Sequence, residues 1–309
     1  MRIVVTGGAG FIGSHVADRL VEEGHEVYII DSLVTGQMEW VNPGARFENI
    51  DICNDKIYDL ITQIKPDAIF HYAALIDIRI SRDNPVYDAE KNIIGSLKLL
   101  EAARKNSVKR FVFASTAGVY GESKELPVKE SQIPDPLMPY AIGKLSVEHY
   151  VRQFYCRKGL NCAVFRFGNV YGPRQGVAGE AGVVGIFIDK IMKEEEITVF
   201  GSGNQTRDFI YVSDVVEFNA RVLENKTTGL FNIGTGVESS INELYRIMGE
   251  VAGKKVRVEF REKVEGELDR SALDNSKAVK TLGYQPLVGL KQGIQKTLQF
   301  YKSRELSGK

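Results

Sequence analysis

The sequence predicts an α/β fold, in which a doubly wound parallel sheet is followed by a smaller C-terminal α/β domain. Short apolar segments alternate with amphipathic ones through the first half of the chain. This order implies right-handed crossovers between parallel strands. The apolar segments 3–5 and 111–113 are continuous rather than alternating, which is typical of strands covered on both faces. A glycine-rich loop follows the first of them.

The elements follow from this alternation in chain order. We predict strands at residues 2–6, 26–31, 46–50, 68–71, 110–114 and 162–167, and helices at 11–23, 55–64, 87–105 and 139–158. Beyond residue 171, glycines between Gly176 and Gly185 and again at Gly201 and Gly203 predict long loops. Helices near 241–252 and 290–301 and strands at 231–234 and 256–260 complete the prediction. We therefore expect a first domain of residues 1–170, with a returning segment near 208–235, and a second domain made mainly of residues 171–309.

Composition excludes several classes of function. Of 309 residues, 40 are Lys or Arg and 40 are Asp or Glu, so the formal net charge is zero. Nucleic acids and membrane surfaces require a broad basic field, so neither is expected as a partner. No apolar run is long enough to cross a bilayer and no secretory leader is visible, so we expect a cytoplasmic protein.

Cysteines and histidines give no sign of a special site. Cys53, Cys156 and Cys162 are odd in number and lack CxxC spacing, so we expect small buried thiols in a reducing compartment. The four histidines lie far apart in the sequence without neighbouring cysteines. No metal site is therefore expected.

The first strand leads directly into a glycine loop and then a helix. Glycine is needed where the backbone turns tightly and approaches a pyrophosphate, and the helix that follows directs its N–H groups and dipole at that group. The flanking strand and helix distinguish this loop from an ordinary flexible turn. The sequence thus predicts a Rossmann-type dinucleotide site formed by Gly7, Gly10, Phe11, Ile12 and Gly13.

The second strand ends in Asp31, about 20 residues beyond the glycines, where the ribose-binding acid of such folds lies. A carboxylate accepts hydrogen bonds from the ribose hydroxyls and repels a 2′-phosphate. Ser32 and Leu33 provide no arginine for such a phosphate. NAD is therefore predicted rather than NADP, the alternative being that Asp31 only ends a strand.

Tyr140 and Lys144 are four residues apart on a predicted helix, which places both on one face. A free tyrosine titrates near pH 10 and is a poor base at neutral pH. A neighbouring ammonium and a positive nicotinamide ring stabilise the phenolate and lower its pKa. On a surface helix this spacing is often fortuitous, but here it follows a dinucleotide motif.

The chain resembles the extended short-chain dehydrogenases/reductases, and within them the UDP-glucose (UDP-galactose) 4-epimerase family. The resemblance covers nearly the whole chain. It rests on TGGAGFIG, HYAA, STAGVYG, the YxxxK pair, RFGNVYGPR, TRDFIYVSDV and LGYQP, which begin at residues 6, 71, 115, 140, 166, 206 and 282.

The resemblance implies an isomerase that inverts the C4 hydroxyl of a UDP-hexose by transient oxidation with tightly bound NAD. It implies Tyr140 as acid/base, Lys144 as the group that binds nicotinamide ribose and tunes that tyrosine, and Thr116 with Ser115 beside the sugar's 4-oxygen. Asp51 and Ile52 would flank the adenine, and Ala73, Ala74, Asn92 and Phe167 would line the rest of the cofactor site. The implied substrate residues are Thr116, Asn169, Val183, Arg207, Arg270 and Ser271. The helices at 87–105 and 139–158 resemble those that join two copies in relatives, which implies a homodimer.

Ala117 and Gly118 follow Thr116 where related dehydratases carry acidic groups for proton transfer, and where decarboxylases usually keep a glutamate. This favours simple epimerisation. A dehydratase, a decarboxylase or a net oxidoreductase of the same family is the alternative. A non-catalytic NAD-binding sensor or scaffold is the alternative of another class, although such proteins usually lose the tyrosine or the lysine.

The choice of sugar and of phosphate ligands depends on single positions. Ser271 lies where a tyrosine narrows the pocket of some relatives, so UDP-GlcNAc and UDP-GalNAc are expected as additional substrates. Val264 replaces an arginine that is common in the family, and we expect Arg270 to contact the phosphate instead. Arg207 is expected to bind the diphosphate, since its planar fork bonds two oxygens at once. The alternative is a salt bridge from Arg207 to the adjacent Asp208.

Overall fold

The computed structural model describes residues 1–154, 161–176, 182–225, 227–264 and 266–306. In chain order its strands are β1 Arg2–Thr6, β2 Glu26–Asp31, β3 Arg46–Asn49, β4 Ala68–His71, β5 Arg110–Thr116, β6 Asn161–Phe167, β7 Asn169–Tyr171, β8 Ile197–Phe200, β9 Thr206–Arg207, β10 Phe209–Tyr211, β11 Gly229–Ile233, β12 Ser239–Ser240 and β13 Val258–Arg261.

The helices are α1 Phe11–Glu22, α2 Lys56–Ile64, α3 Ile78–Asp83, α4 Pro85–Ala89, α5 Gly95–Lys105, α6 Pro139–Phe154, α7 Val183–Met192, α8 Val212–Glu224, α9 Ile241–Ala252, α10 Ser276–Leu282 and α11 Leu290–Leu306. A π turn, Glu90–Ile94, connects α4 to α5. Two short 3-10 helices lie at Met38–Trp40 and Ala117–Tyr120. Among the described residues, no helix is both long and apolar enough to cross a bilayer.

Seven parallel strands form the central sheet in the order β11-β6-β5-β4-β1-β2-β3, which confirms the predicted doubly wound α/β fold. The order reverses between β1 and β4, so a crevice opens there beyond the carboxyl ends of the strands. β11 extends the sheet by pairing with β6, with Ile233 beside Phe167. The boundary between the two domains stays a prediction.

Both faces of the sheet are buried by helices, which explains the continuous apolar strands. On one face α1 and α8 pack through residues such as Leu20 and Phe218, and on the other α2, α5 and α6 pack through residues such as Ile61, Leu100 and Val147. A third apolar cluster lies in the C-terminal part, where α7, α9 and α11 pack beside the parallel pair β8 and β13. The sheet thus provides a rigid base for its carboxyl edge.

The glycine-based loop prediction was wrong at its end. Residues 177–181 lie outside the described residues, but α7 begins at Val183 and includes Gly185. Gly185 packs so closely on the carbonyl of Gly176 that a side chain there would collide with it. Glycine at position 185 therefore allows close packing of a helix and does not mark a loop. The sequence prediction also did not include α8, whose buried face completes the sheet.

The cysteine prediction was wrong for Cys162, which is disulfide-bonded and buried. Cys53 is a free thiol, and burial raises its pKa to about 11. The reducing compartment stays a prediction. The cytoplasmic location stays a prediction.

Candidate active site

The crevice at the reversal of strand order is formed by the segments that follow β1 and β4. Gly7 directly follows β1 and has a φ of +71°, in the left-handed region that favours glycine. A Cβ at Gly7 would lie 2.6 Å from the backbone nitrogen of Ala73. Two residues predicted at the cofactor site, Gly7 and Ala73, are therefore brought together here, and Ala74 follows Ala73 in the chain.

The helix behind the glycine loop begins without a side-chain cap. Gly10 directly precedes this helix, α1. A Cβ at Gly13 would collide with the carbonyl of Gly7, so glycine at both positions allows the helix to start against the loop. Phe11 and Ile12 are half-buried on the first turn. An uncapped helix N-terminus behind a glycine loop fits a bound pyrophosphate.

Asp31 is buried at the end of β2 and holds two loops in place. Its carboxylate accepts hydrogen bonds from the backbone amides of Ala9 (3.0 Å) and Leu33 (2.9 Å). A Cβ at Gly36 would lie 2.7 Å from Asp31 Oδ1, so the following loop approaches the carboxylate closely. A carboxylate accepts about four hydrogen bonds, so these two leave acceptor sites for a ribose.

The predicted adenine pair lies beyond β3. Asp51 accepts a hydrogen bond from Lys91 Nζ at 2.6 Å and one from the amide of Cys53. Burial raises the pKa of Asp51, but the hydrogen bond from Lys91 and those from Cys53 outweigh it and hold the pKa below its usual value. Ile52 is buried beside Gly95 of α5. The pair is thus anchored on the π turn, through Lys91, and on the start of α5, through Gly95.

His71 is completely buried between two hydroxyl groups. Its Nδ1 lies 2.7 Å from Thr6 Oγ1, and its Nε2 lies 2.8 Å from Ser96 Oγ. Since Ser96 donates its hydroxyl proton to the carbonyl of Asn92, His71 donates from Nε2 and accepts at Nδ1. Burial, together with the nearby Lys144, lowers the pKa of His71 to about 3.

The free energy of unfolding is therefore expected to fall as the pH drops below about 6.5. The unfolded chain takes up a proton on His71 there, whereas the folded chain does so only near pH 3. The slope is about 1.4 kcal/mol per pH unit for this one group. Urea denaturation between pH 7 and pH 4 measures it, and His71→Gln should flatten the slope by that amount.

His25→Gln is the matched control, because His25 is only half-buried and its pKa is lowered by burial to a lesser extent. An unchanged slope in His71→Gln would contradict the buried neutral imidazole. Only the pH slopes of the unfolding free energy are compared, so a difference in stability between the variants at one pH does not affect the result.

Asn92 lies in the π turn and holds the loop after β4. Its amide nitrogen donates to the carbonyl of Leu75 (2.9 Å) and to Asp88 (2.8 Å), while its oxygen accepts from the amide of Leu75 (2.8 Å). Asn92 therefore fixes a segment that lines the crevice. Phe167 ends β6 beside Thr116, and it is buried in the sheet.

Tyr140 and Lys144 lie together on the first turns of α6. The Lys144 ammonium is 5.7 Å from the centre of the Tyr140 ring and 4.9 Å from that of Phe113. Burial lowers the pKa of Lys144 to about 8, although the charges of Asp88 and Glu148 oppose this. Burial and then the charge of Asp88 raise the pKa of Tyr140. The chain alone therefore favours the phenol, and a positive charge in the crevice is needed to favour the phenolate.

The two hydroxyl residues at the end of β5 differ. Thr116 is partly exposed at the strand end, where its side chain accepts a hydrogen bond from the amide of Gly118 at 3.1 Å. Ser115 is buried and donates its hydroxyl to Glu148. Thr116 thus lies at the edge of the crevice, whereas the Ser115 hydroxyl lies in the protein interior and is bound to Glu148.

Glu148 and Arg166 form a buried ion pair that the sequence analysis did not include. Glu148 accepts from Arg166 Nε at 3.0 Å and from Nη2 at 2.6 Å, and the guanidinium lies 4.6 Å from the centre of the Tyr120 ring. The spacing of residues 140, 144 and 148 on one helix face is the signal that would have revealed Glu148.

Arg207 and Asp208 do not pair with each other. Asp208 is fully buried and accepts hydrogen bonds from Thr235, from Gly236 and from the amide of Leu273. The mostly buried guanidinium of Arg207 instead contacts Glu267 at 2.8 Å. The alternative of an Arg207–Asp208 salt bridge was therefore wrong. Glu267 was not among the predicted residues.

The other predicted substrate residues lie on neighbouring segments. Asn169 is exposed on β7, and its backbone N–H donates to the backbone carbonyl of Asp208 at 2.7 Å. Ser271 donates its amide to the carbonyl of Thr206, which precedes Arg207. Asn169, Arg207 and Ser271 are therefore brought together. Val183 starts α7 and packs at the edge of the C-terminal apolar cluster.

Arg270 lies further out, and its side chain is 58% exposed. It binds Glu238 through Nε at 2.9 Å and through Nη2, so its fork is already occupied by a carboxylate. It borders a cleft of about 270 Å³, whose other lining residues include Gln205, Lys263 and Glu267. The expected phosphate contact of Arg270 requires that this ion pair open.

A family model described as "NAD dependent epimerase/dehydratase family" matches residues 3–234. The chain belongs to this family. Its members include the extended short-chain dehydrogenases/reductases, so the resemblance drawn from the motifs is confirmed. The glycine loop and uncapped α1 fit the dinucleotide that the family requires.

Family members with named activities match the chain over nearly its full length. A putative UDP-glucose 4-epimerase from Methanocaldococcus jannaschii is 43% identical over 97% of this chain and 98% of its own. The structure of a UDP-glucose 4-epimerase from Thermotoga maritima with UDP-glucose superposes with a TM-score of 0.95, at 41% identity, over 99% of this chain and 100% of that one. The Thermus thermophilus UDP-glucose 4-epimerase in complex with NAD gives 0.93 at 38% identity, over 98% and 99%.

Proposed function

We propose that the protein is an NAD-dependent 4-epimerase of UDP-hexoses, acting on UDP-glucose and UDP-galactose. The observation that carries the proposal is the placement of Tyr140 and Lys144 on one turn of α6. The Lys144 ammonium lies 5.7 Å from the centre of the Tyr140 ring and 4.9 Å from that of Phe113 in β5, the strand next to β4 at the crevice. The match to named UDP-glucose 4-epimerases over nearly the full length of both chains supports the proposal.

In this proposal Tyr140 accepts the proton of the sugar's C4 hydroxyl and returns it after the 4-keto sugar has turned in the site. Bound NAD supplies the acceptor and donor of the C4 hydride and the positive ring charge that the Tyr140 phenolate needs. Lys144 holds the nicotinamide ribose, and Thr116 binds the 4-oxygen. Arg207 and Asn169 bind the diphosphate, so that remote binding energy orients the sugar.

The test is incubation of the protein with UDP-glucose, UDP-GlcNAc and UDP-glucuronic acid in separate reactions, without added cofactor. Chromatography then resolves each C4 epimer. We expect UDP-galactose from UDP-glucose with no net reduction of NAD. Net cofactor reduction would indicate an oxidoreductase, loss of carbon dioxide a decarboxylase, and no conversion of any sugar would contradict the proposal.

We infer in addition that Ser271 admits N-acetylated sugars. The prediction is that Ser271→Tyr lowers kcat/KM on UDP-GlcNAc at least tenfold more than on UDP-galactose, because a phenol ring fills the space that the acetamido group needs. Ser271→Ala is the control, since it removes only the hydroxyl. Equal losses on the two sugars would exclude Ser271 as the residue that sets this specificity.

We also propose a homodimer formed by α4, the π turn and α5 on one side and α6 on the other. The surface of this region exposes apolar side chains, namely Val86, Tyr87, Ile94, Ile142 and Tyr150. An apolar patch of this kind is typical of an interaction surface. Residues 155–158 of the predicted dimer helix lie outside the described residues.

The dimer proposal predicts that Ile94→Glu halves the mass measured by light scattering, because a charge on this apolar surface opposes its burial. Leu287→Glu, at an exposed loop position outside the patch, should leave the mass unchanged. A monomeric parent protein would contradict the dimer proposal. A dimer that survives Ile94→Glu would mean that the interface lies elsewhere.

A further inference from the structure

Asp88 is a buried carboxylate for which the proposed mechanism has no use. It lies on α4 and is 2% exposed. It takes part in none of the ion pairs recorded among the described residues, unlike Asp51 and Glu148, which bind Lys91 and Arg166. A carboxylate is costly to bury without a cation. The burial of this carboxylate without an ion-pair partner therefore requires an explanation.

The Asp88 carboxylate lies against the turn of α6 that carries the predicted catalytic pair. A Cβ at Gly143 would be 3.3 Å from Asp88 Oδ2, so glycine at this position allows the approach. Gly143 directly precedes Lys144 and is three residues after Tyr140. The negative charge is thus placed beside the backbone that joins these two side chains.

Asp88 also holds the π turn. Its Oδ1 accepts a hydrogen bond from Asn92 Nδ2 at 2.8 Å. Asn92 in turn makes two hydrogen bonds with the backbone of Leu75, in the loop that lines the crevice. The carboxylate therefore connects the turn of the catalytic pair to the wall of the cofactor crevice.

We propose that Asp88 is a positioning residue of this site, which serves as the counter-charge that keeps Lys144 an ammonium ion and as the anchor of Asn92. This inference rests on the proposed function. Asp88 touches neither substrate nor cofactor in it and acts through Lys144, Tyr140 and Asn92.

The other charged groups near Lys144 do not replace Asp88. Glu148 of α6 also raises the pKa of Lys144, but less than Asp88 does, and its carboxylate pairs with Arg166 of β6. His71 of β4 is neutral because its pKa is lowered to about 3. Phe113 of β5 and the Tyr140 ring provide only aromatic faces. On the elements next to Asp88, Arg79 and Arg82 of α3 lie against Asp77 and Asp83. Lys91 of the π turn binds Asp51.

The direction in which Asp88 shifts the pKa values of Lys144 and Tyr140 follows from its negative charge. A negative charge favours the protonated forms of both neighbours, and Asp88 accordingly raises the pKa of Lys144 and that of Tyr140. Removal of the charge lowers both. The pH–rate profile, bounded by the phenol on its acid side and by the ammonium on its alkaline side, is then displaced to lower pH as a whole.

The test compares three variants of the NAD-loaded enzyme. Asp88→Asn removes the charge but keeps an oxygen that accepts from Asn92, whereas Asp88→Ala removes both. Glu90→Gln makes the same change of charge at an exposed position two residues away. For each variant the pH dependence of kcat is measured, and the tyrosinate absorbance of Tyr140 is titrated by difference from the matching Tyr140→Phe protein.

We expect Asp88→Asn to move both limbs of the profile and the Tyr140 midpoint to lower pH by about one unit. Glu90→Gln should move neither. Asp88→Ala should show the same displacement and, in addition, a lower affinity for NAD. A fall in kcat without displacement, or an unchanged Tyr140 midpoint in Asp88→Asn, would overturn the proposal. If the parent enzyme converts no UDP-sugar, the proposed function fails, and the tyrosinate midpoint still decides the role of Asp88.

Discussion

Tyr140→Phe is expected to lower turnover on UDP-hexoses by a factor of about 10²–10⁴, while bound NAD is retained. The substitution removes the oxygen that takes and returns the C4 proton but keeps the ring, whose centre lies 5.7 Å from the Lys144 ammonium. The glycine loop and Asp31, which are proposed to bind the dinucleotide, are not altered. Steady-state epimerisation and spectroscopic measurement of bound NAD test the two parts separately.

Tyr150→Phe is the matched control for this prediction. Tyr150 lies on the same helix, is 40% exposed and stacks near Phe154 rather than in the crevice. Its loss should change turnover little. Full activity of Tyr140→Phe would remove Tyr140 from the mechanism, whereas loss of NAD from that variant would show a role in binding instead.

Glu148→Ala is expected to lower the free energy of unfolding by about 3–5 kcal/mol, the largest effect on stability that we predict. It leaves Arg166 buried, at 3% side-chain exposure, without its carboxylate. One nitrogen of that guanidinium, Nη1, is already without a hydrogen-bond partner among the described residues. Denaturant unfolding with a common m-value measures the loss.

Two further variants separate the ion pair from other causes. Ser115→Ala removes only the hydroxyl that donates to Glu148 and should cost about 1 kcal/mol. The double variant Glu148→Leu with Arg166→Met replaces both charges by apolar groups and should recover much of the stability. A loss below about 1 kcal/mol in Glu148→Ala would mean that water or another group compensates Arg166.

Local patterns in the sequence predicted the parts of the site that a short segment builds by itself. The loop Gly7–Gly13 needs its glycines for tight turns and close contacts, and Asp31 follows at the end of the next strand. The spacing of Tyr140 and Lys144 places both on one face of any helix. Apolar continuity likewise predicted the buried strands, and the observed bounds of β1, β2 and β4 agree with it.

Pairings between distant segments could not be predicted in this way. Arg207 meets Glu267, sixty positions away, because β9 lies beside the segment that leads to Ser271. Arg270 was expected at the phosphate, yet Glu238 occupies its fork. The carboxylate that accompanies an arginine depends on which loops the fold brings together, and neither charge nor spacing along the chain reveals this.

By itself, the sequence determined the glycine loop, the carboxylate at the end of β2 and the tyrosine–lysine pair, because each depends on backbone geometry within one turn or one strand. Only the tertiary structure decided which charges surround that pair. Asp88 and Glu148 act on Lys144 because α4 packs on α6 at Gly143 and because β6 brings Arg166 to α6. The electrostatic field at a buried group is a sum over neighbours in space, so only the folded chain sets it.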